Sequence, residues 1–117
     1  MNRRNIVYIS GAITQNPNYI LDFTRAESKL KDAIKYGEYD FTSICNPALV
    51  NANLPKDFTH KDYMRVCFAM MDSCDSIYML TGWESSKGAK LELIYAKKKG
   101  MSIYYENLSD RDLQDNC

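Results

Sequence analysis

The residues of this chain best placed to do chemistry sit between positions 85 and 92. Ser85, Ser86, Lys87 and Gly88 offer two hydroxyls, a cation and a glycine just ahead of a stretch that ends in Lys97-Lys98-Lys99-Gly100. If that stretch is helical, its first turn presents unpaired N–H groups and the positive end of the helix dipole, a setting that suits phosphate. Ser86 serves equally well as a plain helix cap. Glu92 lies four residues past Gly88, so helical spacing puts it on the face of the small residues Gly88 and Ala89. There it meets a ligand lying over the helix start, or else it pairs with Lys87 or Lys98 at the surface. The segment GAITQNPN at 11–18 carries a single glycine and is neither a dinucleotide fingerprint nor a P-loop. Cys45, Cys67, Cys74 and Cys117 form no CxxC pair. His60, Cys67 and Cys74 recur at intervals of seven along one helix, which suits a buried face of reduced thiols better than a tetrahedral metal site. No metal and no cofactor is expected.

These groups need elements to hold them. Residues 5–10 (NIVYIS) form a short apolar run closed by Gly11, as in a strand buried on both faces. Helical spacing of Ile20, Phe23, Ala26, Leu30, Ala33 and Ile34 predicts a helix over 19–36, stopped by Gly37. A second strand is expected over 40–45, ending at Asn46-Pro47, followed by an irregular crossing over 47–58. Thr59 can cap a helix to about residue 73, with Asp62 in its first turn. A third strand over 76–80 leads through the loop TGWESS to a helix over 86–99. A fourth strand follows at 101–105, and a short helix is expected over 109–114. Alternating strand and helix predicts a three-layer α/β fold, flavodoxin-like or Rossmann-like, with a mostly parallel sheet of four to five strands in one domain over 1–117.

In such sheets ligands bind beyond the C-terminal ends of the strands. That rule places residues 10–16 (Gly11 among them), Asn46 and residues 81–88 on the ligand edge, together with His60, Asp62 and Tyr63 at the start of their helix. Asp75 opens a strand and belongs to the opposite rim, in a structural role.

Hydrophobic residues make up 45% of the 117 and charged residues 26%, which excludes disordered and fibrous classes. Fifteen Lys and Arg balance fifteen Asp and Glu, so the basic excess of a duplex nucleic-acid binder is missing. No stretch reaches the roughly 20 apolar residues of a membrane span. The basic start MNRRN precedes an apolar run of only about five residues, shorter than a signal peptide requires. A cytoplasmic protein is expected.

Three blocks carry a resemblance: VYISGAI at 7–13, CDSIYML at 74–80 and GWESSKGAKLELIYAKKKG at 82–100. They are similar to the nucleoside 2-deoxyribosyltransferase superfamily, and most of all to a small bacterial and phage branch of unassigned function. The resemblance implies cleavage of the bond between a nucleobase and 2-deoxyribose, with Glu92 matching the nucleophile, Tyr8 the first-strand tyrosine and Gly11 the turn glycine. Ser86 stands where transferases of free nucleosides carry an Asp, as it does in the branch that hydrolyses deoxynucleoside 5′-monophosphates, where a serine binds phosphate. Two further positions of that branch, a Ser and an Arg, are Ala12 and Thr14 here. The family's acid on the helix before the third strand aligns with Cys67, and a thiol is a poor hydrogen-bond donor. Asp62 or Glu84 is then the expected proton donor. Trp83 stacks on a base or closes the pocket, or else covers the sheet edge or a subunit contact.

The leading expectation is an N-glycosidase or deoxyribosyltransferase acting on a nucleoside or its 5′-monophosphate. Glu92 would attack while Tyr8, Ser86, Lys87 and Gly88 hold sugar and phosphate. The alternative is a binding module that captures a nucleotide in the same pocket without chemistry. A homodimer or higher oligomer is expected, with Tyr104, Tyr105 and the C-terminal tail as contact segments.

Overall fold

The computed structural model describes residues 3–109. Its elements alternate as expected: β1 (Ile6–Ser10), α1 (Tyr19–Lys35), β2 (Ser43–Cys45), α2 (Ala48–Ala52), α3 (His60–Met71), β3 (Ser76–Met79), α4 (Lys87–Lys99) and β4 (Ser102–Tyr105). The four strands are all parallel, in the order β2-β1-β3-β4. The chain moves outward from β1 to β2 and then back past β1 to β3 and β4. Right-handed crossovers therefore put α1 on one face and α3 and α4 on the other, giving three layers.

Alternation along β1 divides the core in two. Val7 and Ile9 face α1 and pack with Phe23, Ala26 and Leu30. Tyr8 faces the other way and packs with Met71, Ile77, Met79, Leu93 and Ala96. The two central strands are buried on both sides, as near-continuous apolar runs in a parallel sheet should be.

The helix ends follow local chemistry. Thr59 and Asp62 form a capping box, with Asp62 N donating to Thr59 Oγ1 at 3.1 Å and Thr59 N to Asp62 Oδ2 at 3.0 Å. Ser86 Oγ accepts from Ala89 N at 3.1 Å, and Gly100 closes α4 at φ 71, a left-handed position that glycine takes without strain. On the opposite rim, Asp75 Oδ2 accepts from Ile6 N at 2.9 Å and stands 3.7 Å from Arg4 Nε, the structural role expected of it.

Several expectations shift. The second strand starts at Ser43: Thr42 N donates to Asn5 O, ahead of β1, and the ladder itself begins with the Ile6–Ser43 pair. The crossing over 47–58 contains α2, a single five-residue turn of helix. Tyr105 is buried in the core against Trp83, which removes it as a contact residue, while Tyr104, on the edge strand β4, is half-buried and packs edge-on against Tyr39 and Phe41. The short helix expected over 109–114 lies outside the described residues apart from Ser109, as does the tail that follows it. No helix is long and apolar enough to cross a membrane among the described residues.

Candidate functional site

β1 and β3 are adjacent, yet their following helices lie on opposite faces, so the sheet's topological switch point falls between them. Tyr8 and Ser10, two residues apart on β1, project to the same face at this point. Across from them α4 buries Ala89, Glu92, Leu93 and Ala96, a helical stripe in which one member is a carboxylate.

Glu92 is only 6% exposed, and both its oxygens are taken. Tyr8 Oη donates to Oε2 at 2.7 Å and Ser10 Oγ donates to Oε1 at 2.6 Å. Burial pushes the acid above the ordinary carboxylate range, while the bonds from Ser10, Tyr8 and Cys67 pull it back part of the way. The charge next to it raises Tyr8 in turn: burial first, then Glu92, holds that phenol well above its usual value. Cys67, also buried, has its thiol pushed up to about 12 by burial and then by Glu92, so it stays protonated. Its Sγ lies 4.0 Å from Asn51 Oδ1.

A cleft opens beside Glu92. One wall is the loop after β1, with Gly11 and Thr14; the facing wall is the first turn of α3, with His60, Tyr63 and Met64; Ser86 and Gly88 complete it from α4. The free volume is about 10 Å³, room for about one water molecule. A Cβ on Gly88 would lie 3.5 Å from Met64 Sδ and 3.8 Å from His60 Nε2, so the missing side chain leaves space on the α3 side. Gly11 answers a different need. A Cβ there would lie 3.0 Å from Leu80 Cδ1 and 3.1 Å from its Cβ, so this glycine lets the end of β1 rest directly on the residue after β3.

The structure thus brings Glu92, Tyr8, Gly11, Ser86 and Gly88 together. Other sequence candidates lie elsewhere. Asp62 spends its carboxylate on the capping box, and its backbone and side-chain bonds with Thr59 hold it below the usual carboxylate range, the wrong direction for an acid that must give up a proton near neutrality. Glu84 is exposed on the short turn Trp83–Ser85, outside the cleft wall. Trp83 is buried in the core beside the Tyr105 ring, with its centroid 6.1 Å away. Asn46 donates to Glu27 Oε1 at 3.0 Å and accepts from Ala48 N at 3.0 Å, which ties β2 to α1 and α2 on the far face. Lys87 is exposed and does not line the cleft.

Sequence reasoning reached Ser10, His60 and Tyr63 only as residues of the ligand edge. The alternation of Tyr8 and Ser10 on one strand was the available sign that two hydroxyls would meet one partner. Nothing local in the sequence marks Asn51, which reaches Cys67 only because α2 packs back. Among the described residues no group of His, Cys, Asp and Glu could hold a metal ion.

Over residues 5–105 the chain matches the family described as "Domain of unknown function (DUF4406)". No curated protein and no solved structure gives a significant match. The matched span takes in β1 to β4, α1 to α4 and every wall of the Glu92 cleft, and the chain belongs to this DUF4406 family.

Proposed function

We propose that the Glu92 cleft cleaves the bond between a nucleobase and 2-deoxyribose, in a nucleoside or its 5′-monophosphate. One observation carries the reading. A buried carboxylate at the sheet's switch point has each oxygen held by its own hydroxyl, from Tyr8 and Ser10, beside a cleft. Two such donors fix the direction of the carboxylate and offset part of the cost of ionising it out of water. An oxocarbenium-like centre needs a fixed carboxylate on one face, and a glycosyl ester divides the barrier in two. Glu92 attacks the anomeric carbon, the carbon–nitrogen bond breaks with its electron pair going to the base, and water or a second base then takes the sugar. Of the lining groups, the imidazole of His60 has the chemistry to give the leaving base its proton. Ser86 and the α4 N-terminus would take a 5′-phosphate, which the positive end of the helix favours.

A nucleoside needs a pocket of hundreds of cubic ångströms. Binding therefore requires the loop beyond Gly11, residues 12–18, to move away from His60 and Tyr63. Wild-type protein incubated with the common 2′-deoxynucleosides and their 5′-monophosphates should release free base, with Glu92→Gln lowering the rate by about 10³-fold or more. Chromatography of the products decides it: no base from any member of the panel removes the reading.

The narrow cleft and the lack of a second carboxylate on its walls favour a second reading, a binding module. Calorimetry would then find a nucleotide that is bound and recovered intact, and Glu92→Gln would keep much of the affinity. For either reading we propose a cytoplasmic protein that self-associates and binds no duplex nucleic acid. The free thiols of Cys45, Cys67 and Cys74 suit a reducing compartment, and Leu49 and Val50 give α2 an exposed apolar face.

A further inference from the structure

Two buried polar atoms have no hydrogen-bond partner among the described residues: Tyr63 Oη and Asn51 Nδ2. A buried donor left unpaired loses its bonds to water and gains none, so such atoms are few and call for a reason. Tyr63 lines the cleft itself, and Asn51 stands behind its wall, against Cys67. Asn51, 8% exposed, accepts from Cys67 Sγ through its other amide atom at 4.0 Å, and Cys67 is close enough to Glu92 for that acid to raise its thiol. Tyr63 lies one helical turn before Cys67 on α3 and lines the cleft alongside Glu92. The nearby acceptors already receive bonds, the Glu92 oxygens from Tyr8 and Ser10 and Asn51 Oδ1 from the thiol, and none pairs with these two donors.

We propose that Tyr63 Oη and Asn51 Nδ2 are the donors that receive acceptor atoms of the bound nucleoside, the carbonyl oxygens or ring nitrogens of its base, once the cleft opens. This rests on the reading that the cleft takes a nucleoside or nucleotide. Sites built this way reject ligands that lack the matching acceptor, because the protein's own donors would stay unpaired. Their role is recognition. Burial raises Tyr63 far above its usual value, so the phenol can give a hydrogen bond but is a poor source of a proton.

The test pairs stability with binding. Melting temperatures of wild type, Tyr63→Phe and Asn51→Leu are measured without ligand, and affinities for the panel of 2′-deoxynucleosides and 5′-monophosphates are then measured by calorimetry. Tyr63→Phe should melt at or above the wild-type temperature, because it deletes a hydroxyl that has no partner, while its affinity falls about tenfold for the preferred ligand. Asn51→Leu should show the same affinity loss, and it keeps the question open to a second variant if one fails to fold. A Tyr63→Phe protein that melts lower and binds as well as wild type overturns the proposal, since the hydroxyl then serves the fold. So does a wild type that binds no member of the panel. Binding that is lost in both variants, with no base released by wild type, supports these donors while removing the glycosidase reading.

Discussion

Glu92 carries opposite demands in one side chain. Its burial raises the free energy of the ionised form, and its bonds from Ser10 and Tyr8 lower it again without cancelling the first effect. The consequence for stability has a definite sign. A folded-state value raised above the usual 4.5 means that the stability this acid contributes is complete below that value and is lost as pH climbs through the folded-state value. Glu92→Gln, which cannot ionise, should therefore melt above wild type at pH 8. The gap should close as pH is lowered past the ordinary carboxylate range, and thermal melts at several pH values check it. A variant that melts lower at every pH would show that the carboxylate's bonds outweigh its burial. The position of Glu92 was legible from its spacing to Gly88 and Ala89, since helical periodicity survives packing. The failure of Asp62 and Glu84 to join it was not: both belong to the ligand edge in one dimension, and only the capping box and the exposed turn show that they face away.

Elements with several turns or a continuous apolar run declared themselves. β1, β3, α1, α3 and α4 fall within a few residues of expectation, because burial on both faces or on one helical stripe imprints a period on the sequence. The five residues of α2 are too few to show a period, and Pro47 reads as a break although it is the cap of that helix. Yet α2 brings Asn51 to Cys67, so the least legible element supplies one of the two unpaired donors. At the join of β1 and β3 the test is steric. Gly11→Ala would force Leu80 or the strand ends to shift, at a cost of about 1–3 kcal/mol in denaturant unfolding. Full stability in that variant would mean that the contact relaxes freely.

At the scale of the molecule, two separate cores share one sheet, and each has its own helices. The α1–α2 side leaves Leu21 at 57% and Leu49 at 64% exposure, and the charges of the whole chain sum to zero, so little opposes association through this side. Sedimentation should give a dimer, with Leu49→Lys shifting it toward monomer; a monomeric wild type at high micromolar concentration would sink that expectation.

On the proposed reading, the seating of Gly11 on Leu80 also limits how a nucleoside would get in. With no slack for even one extra carbon, the root of the loop is anchored to the strand next door and cannot tilt toward the α1 layer. Entry would then use the span beyond it, residues 12–18, where Gln15 holds a left-handed turn at φ 64. The carboxylate beneath is tied to β1 itself through Tyr8 and Ser10, so on that reading it would keep its direction while the span above it moves.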